Sequence, residues 1–216
     1  NNTLTNITGQ GAITGVTIGS TVNTATLVTI SNNTITNLVS NTTGGAVTGI
    51  SCTNTSPSIN ITGNTIKTLS SVGASAVTGI SIGGATATNV FKNSICDLSG
   101  SNASTTVNGI LVSAGASVSV YNNRIADLRA TIANAANPIV GINITGGTTV
   151  NAYYNTVYLS ATSSGAVFGS SAISASVTPT VTLRNNIFIN KSYTILCLLA
   201  VPPIISKAEV AFSMLI

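Results

Sequence analysis

The chain has 216 residues, with seven Lys and Arg, three Asp and Glu and no His, a formal charge of +4. Only 5% of its residues are charged, against about 25% in ordinary soluble domains, which excludes a helical bundle with a mixed-charge surface. A hydrophobic content of 44% and a mean hydropathy of +0.51 exclude disorder, so what remains is a β-rich chain whose Thr, Ser, Asn and Gly are poor helix formers set among Val and Ile.

From its first residues the chain repeats one unit: an Asn, any residue, an aliphatic or aromatic one, and usually Leu or Ile three further on. The anchors are Asn2, Asn33, Asn64, Asn93, Asn123, Asn155 and Asn186, spaced by 31, 31, 29, 30, 32 and 31 residues. Each unit holds three short β-segments. The first starts at the anchor, as in Asn33-Thr34-Ile35-Thr36-Asn37-Leu38 and Asn123-Arg124-Ile125-Ala126-Asp127-Leu128. The second centres on Gly followed by alternation: Gly15-Val16-Thr17-Ile18, Gly49-Ile50-Ser51-Cys52, Gly79-Ile80-Ser81-Ile82, Gly109-Ile110-Leu111-Val112 and Gly141-Ile142-Asn143-Ile144. The third places aliphatics five and three residues before the next anchor, as with Val28 and Ile30, Ile59 and Ile61, Val118 and Val120, and Val181 and Leu183. Period-2 alternation over such short runs marks strands with one buried face.

Spacers vary in length between the first and second segments, which places insertions in loops. A unit of this size cannot close a core alone, so successive units must stack. Three strands and three corners per turn describe a parallel β-helix, and six intervals of about 4.8 Å make a rod roughly 29 Å long. Asn32, Gly63, Asn122 and Asn185 stand just before anchors, where a sharp corner calls for positive φ. Two readings of the anchors themselves are open: a ladder of amides bonded from coil to coil, or solvated turn residues.

The pattern, and above all Gly165-Ala166-Val167-Phe168-Gly169-Ser170-Ser171-Ala172-Ile173 through Thr180-Val181-Thr182-Leu183-Arg184-Asn185-Asn186-Ile187-Phe188, resembles right-handed parallel β-helix repeat proteins, similar to large secreted surface proteins of Bacteroidota-type bacteria. The resemblance implies export, often by a type IX route with a C-terminal sorting domain, although no such domain is evident. It specifies architecture better than function, because this fold hosts lyases, hydrolases, adhesins and inert stalks. Handedness follows from the resemblance and from the usual chirality of parallel crossovers. The expected fold is therefore all-β: a right-handed parallel β-helix (β-solenoid) of about six coils of 29–32 residues, three short strands each, over residues 1–190. Residues 191–216 break the pattern with the aliphatic run Ile195-Leu196-Cys197-Leu198-Leu199-Ala200-Val201 and then Pro202-Pro203. That segment reads either as a cap on the last strand edge or as the product of a truncation or a lost reading frame. Its apolar run is too short to span a bilayer, which takes about 20 residues.

Chemistry is limited by what the composition lacks. Without His, and with three acids, no metal site and no cofactor are expected. Cys52 takes an inward position held elsewhere by Ile18, Ile82, Val112 and Ile144 and reads as a buried thiol, while Cys96 and Cys197 show neither metal spacing nor a clear pairing. Three outward features stand out. Asp97 and Asp127 each lie four residues after an anchor in consecutive units, which stacking would bring about 5 Å apart, the spacing of a retaining glycosidase pair. The same positions hold Asn6, Asn37 and Thr68 in other units, which describes a polar corner column with Arg124 and Arg129 offsetting the acids. Phe91, Tyr121, Tyr153 and Arg184 form an outward file two residues before the anchors, suited either to contact with sugar rings or to a self-stacking ladder. Thr14, Thr48 and Thr78, with Thr17, Ser51 and Ser81, begin a hydroxyl surface of the kind that orders ice, which Asn108, Val140 and Leu111 interrupt.

The functional expectation is a non-catalytic, extracellular or cell-surface bacterial module, structural or adhesive, contacting polysaccharide through the aromatic file. A carbohydrate-active β-helix, hydrolase or lyase, is the alternative, with Asp97 and Asp127 as its weak catalytic candidates; ice binding ranks last. Cations spread singly along the chain imply no nucleic-acid partner. Exposed strand edges at the ends of a β-helix imply end-to-end self-association.

Overall fold

A computed structural model of the chain describes residues 1–19, 27–42, 44–53, 58–194 and 214–215. Among the described residues every regular element is a strand, and the strands wind as a parallel β-solenoid of about six coils. Each coil contributes one strand to each of three parallel sheets. The first sheet stacks the anchor strands Thr3–Gly9, Thr34–Ser40, Thr65–Ser71, Ser94–Gly100, Arg124–Ala126 with Leu128–Ala130, Thr156–Leu159 and Ile187–Asn190. The second stacks the glycine-centred strands from Ile13–Ile18 to Phe168–Ala175, and the third runs from Val28–Ser31 to Thr180–Arg184. Most of the atypical C-terminal segment, including Cys197, lies outside the described residues. Within it Tyr193–Thr194 pairs in parallel with Thr162–Ser163, and Met214–Leu215 pairs antiparallel with Ile187–Asn190.

Stacking brings like residues into register. Ile35, Ile66, Ile95, Ile125 and Val157 form one inward column, and Leu38, Leu69, Leu98 and Leu128 another. Cys52 is fully buried between Ile18 and Ile82 in a second-sheet column, as its inward position required. Such columns make one continuous core along the rod, in which each buried Ile or Leu contributes about 1.5–3 kcal/mol.

Two of these inward columns are three residues apart in sequence, which simple alternation forbids. The chain resolves this by a left-handed residue between them: Asn6, Asn37, Thr68, Asp97 and Asp127 all have φ between 53° and 60°. Each is skipped in the ladder, so Thr36 pairs with Lys67 and then Leu38 with Leu69. This kink shifts the phase by one and turns both aliphatics inward. In the sixth coil Val157 and Leu159 are two apart and both buried, and no left-handed residue separates them.

The second strand has its own constraint. A Cβ on Gly15, Gly49, Gly79 or Gly109 would stand 2.6 Å from the carbonyl oxygen of the next coil's glycine. On Gly49 it would also stand 2.7 Å from Cγ2 of Ile66. The glycine file is there because the second strand touches the first sheet at that point, leaving no volume for a side chain.

Candidate functional site

Of the two readings of the anchors, the amide ladder is the one observed. Asn2, Asn33, Asn64, Asn93, Asn123 and Asn155 each donate from Nδ2 to Oδ1 of the next anchor at 3.0–3.1 Å. The same Oδ1 accepts the preceding anchor's backbone N–H at 2.9–3.2 Å. From Asn64 onward the second Nδ2 proton goes to a third-strand carbonyl of the coil before, as from Asn93 to Ile61 at 2.9 Å. An amide has two donors and two acceptor sites, and Asn64, Asn93, Asn123 and Asn155 each use all four. Asn64, Asn93, Asn123, Asn155 and Asn186 are buried, an environment that only complete pairing makes tolerable. The corners before the anchors are left-handed as expected at Asn32, Gly63, Asn122 and Asn185, and also at Lys92 and Tyr154.

A second side-chain column had escaped the sequence reading. At the corner after the first strand, Ser40 Oγ donates to the carbonyl of Gly11 at 2.9 Å, Ser71 Oγ to that of Gly45 at 2.5 Å, and Ser163 Oγ to that of Ala133 at 2.7 Å. In the fourth coil the strand ends in Gly100, and Thr105 occupies the space and bonds Ser75 at 2.9 Å. The signal was present as Leu38-Val39-Ser40 and Leu69-Ser70-Ser71, but Ser is too common in this chain to stand out.

Asp97 and Asp127 are brought to adjacent rungs, and both belong to the left-handed kink column, where Asn and Asp are the best tolerated side chains after Gly. Arg129 bridges them, pairing with the carboxylate of Asp97 and with Asp127 Oδ2 at 3.2 Å. Thr68 Oγ1 donates to Asp97 Oδ2 at 2.8 Å. Arg124, expected to share the offsetting role, makes no ion pair among the described residues. The Asp side chains are 34% and 50% exposed, so the cluster sits in water. A cavity of about 350 Å³ lies instead against the first coil, between Asn2, Leu4, Val16, Ile30, Asn33 and Ile35.

Phe91, Tyr121, Tyr153 and Arg184 do stand in register at the end of the third sheet. The rings of Phe91 and Tyr121 are parallel, 3° apart in plane with centroids 4.8 Å apart. Each covers one face of the other. Beside them Asn89 Nδ2 donates to Asn60 Oδ1 at 3.0 Å, a short second amide column.

The hydroxyl surface is corrected by the structure. Thr14 is exposed, but Thr78, Asn108 and Val140, aligned with it, are buried. Val140 stands outside the continuous core and Asn108 Oδ1 accepts from Asn143 Nδ2 at 2.9 Å, so the file is covered where it stands and offers water no continuous hydroxyl face.

Among the described residues no group of three or more His, Cys, Asp or Glu is placed to hold a metal ion, and no helix is long and apolar enough to cross a membrane. Comparison with protein-family models, with curated proteins and with solved structures finds no match in any of the three.

Proposed function

We propose that the chain is a non-catalytic, exported structural or adhesive rod that touches polysaccharide through outward residues of its third sheet, with Phe91, Tyr121, Tyr153 and Arg184 in the contact. The observation that carries this reading is the amide ladder through seven anchors, buried from Asn64 to Asn186 and fully bonded from Asn64 to Asn155. It fixes coil on coil and leaves the outward columns free to vary. The cell-surface setting rests on the resemblance of the repeat to secreted β-helix proteins. Copies joining end to end belong to the same proposal, and a strictly monomeric sedimentation profile at high concentration would remove that part.

The competing reading, a polysaccharide hydrolase or lyase, has the adjacent rungs of Asp97 and Asp127 in its favour. Against it stands Arg129, which occupies both carboxylates. Incubation with plant and algal polysaccharides, read by reducing-sugar and unsaturated-uronate assays, separates the two. The rod predicts no cleavage. Cleavage abolished by Asp97→Asn with Asp127→Asn would establish the enzyme instead.

A further inference from the structure

The corner between the third and first sheets carries residues that neither the core nor the ladder explains. On four successive rungs it reads Phe91-Lys92, Tyr121-Asn122, Tyr153-Tyr154 and Arg184-Asn185, each followed by a buried anchor. The first residue after the anchor is outward again, and on the second rung it is Arg124. Lys92, Arg124 and Arg184 are exposed and make no ion pair among the described residues, whereas Arg129 is taken up by Asp97 and Asp127. No acid stands on any of these four corners. All but one of the five tyrosines of the chain lie on them or, as with Tyr158, four residues beyond.

Tyr154 is the telling member. Its φ is 54°, a left-handed conformation that Asn32, Gly63, Asn122 and Asn185 adopt at the same corner of other coils. Gly and Asn tolerate this region, but a bulky side chain there is strained, and such strain gathers at sites that hold ligands. The backbone is held in place by Tyr154 N–H donating to the carbonyl of Arg184 at 3.1 Å, and by Asn122 N–H donating to that of Tyr153 at 3.1 Å. Tyr154 is 58% exposed. The residues above and below it in the corner file are Asn185 and Asn122, short exposed amides, so no neighbouring ring stacks on it as Phe91 and Tyr121 stack on each other.

From this arrangement we infer that the corner is a contact site for an anionic, uronate-bearing polysaccharide lying along the rod axis. The inference rests on the adhesive reading above and deepens it by naming the class of glycan. Tyr154, with Tyr153 beside it, supplies a platform for a sugar ring. The amides of Asn122 and Asn185 meet its hydroxyls. Lys92, Arg124 and Arg184 meet carboxylates over a span of three intervals, about 14 Å at strand spacing. Cations set singly on separate rungs match a chain charged once per sugar better than they match a run of phosphates.

The test is retention of the purified chain on immobilised polygalacturonate and alginate, with dextran, microcrystalline cellulose and single-stranded DNA as the contrasting supports. Wild-type chain is expected on the uronates, with binding that falls as salt rises. Tyr154→Asn is expected to weaken retention about tenfold, the size of one lost aromatic contact, while its melting temperature stays equal or rises, because Asn suits the left-handed corner better. Arg124→Gln with Arg184→Gln is expected to weaken retention further and to flatten its salt dependence. Uronate retention that both variants leave intact overturns the inference. Equal retention on dextran, cellulose or DNA overturns it as well. Retention on neutral glycans lost in Tyr121→Ser with Tyr153→Thr leaves the adhesive reading standing without the anionic corner, and a wild-type chain retained on no polysaccharide removes both.

Discussion

Asn93→Ala tests whether the amide ladder holds the coils together. The wild-type side chain makes four hydrogen bonds: it accepts from the Asn64 backbone N–H at 2.9 Å and from Asn64 Nδ2 at 3.0 Å, and donates to Ile61 O at 2.9 Å and Asn123 Oδ1 at 3.0 Å. Each such bond has a net worth of about 1 kcal/mol, and a buried donor left without a partner costs about 1–3 kcal/mol. The Asn64 backbone N–H has no other partner among the described residues, so the expected loss is about 4–6 kcal/mol. Asn2→Ala makes the internal control. That residue is exposed and its side chain makes one bond, to Asn33 at 3.1 Å, while its backbone N–H keeps the Asn33 oxygen at 3.2 Å. Its expected cost is below about 1 kcal/mol. Equilibrium urea unfolding measures both. Because repeat arrays need not unfold in one step, amide exchange at Asn64 should be followed as well and should accelerate in Asn93→Ala alone. Equal losses for the two variants, or a loss below about 1 kcal/mol for Asn93→Ala, would show that the ladder accompanies stacking without supporting it.

Thr88 is buried in an inward column between Ile59 and Val118, and its Oγ1 has no hydrogen-bond partner among the described residues. Thr88→Val keeps the shape and removes the orphan hydroxyl, so a gain of about 1 kcal/mol in thermal unfolding is expected; destabilisation would mean that a partner is engaged there. Gly79→Ala places a methyl 2.6 Å from the Gly109 carbonyl oxygen and 2.7 Å from Ile95 Cγ2, and since backbone must move, a loss of about 3 kcal/mol is expected in urea unfolding. Gly11→Ala, with nothing within 4 Å, is its neutral partner in that comparison, and equal effects would refute the close-approach account of the glycine file.

The architecture was legible because stacking turns sequence period into spatial column: once Asn33, Asn64 and Asn93 recur at coil length, every residue at a fixed offset must align. The limits of that reasoning have one source. Offsets fix which residues share a column, but not the backbone angle there or the side from which the column is covered. Asp97 and Asp127 were correctly assigned to one column with Asn6, Asn37 and Thr68, yet the column's purpose, a left-handed kink that re-phases Ile95 and Leu98, depends on φ. Thr78 and Asn108 were expected on an exposed face, yet both are buried, and Asn108 is bonded by Asn143 of the next coil, because alternation does not show which outward positions their neighbours cover. The serine column needed knowledge of which carbonyls the loops present. Even so, Leu three residues after Ile in the anchor strand was a visible breach of period 2, and a breach of that kind in a repeating strand is itself a signal for a bulge.

Where backbone demands are this uniform, the informative residues are those that meet them badly. Both left-handed columns favour Gly, Asn or Asp, and the described chain departs from that set at Thr68 in one and at Lys92 and Tyr154 in the other. Thr68 has its compensation inside the protein, since its hydroxyl donates to Asp97, which Arg129 also holds. Lys92 and Tyr154 have none among the described residues: their side chains extend into solvent, on the corner that also presents Arg124 and Arg184. A strained conformation kept without internal benefit lowers stability for nothing unless a partner outside the chain uses the side chain. Replacing Tyr154 by the Asn that its own column prefers should therefore separate the two quantities, moving stability and adhesion in opposite directions. A substitution at Thr68, which is paired within the rod, should move stability alone.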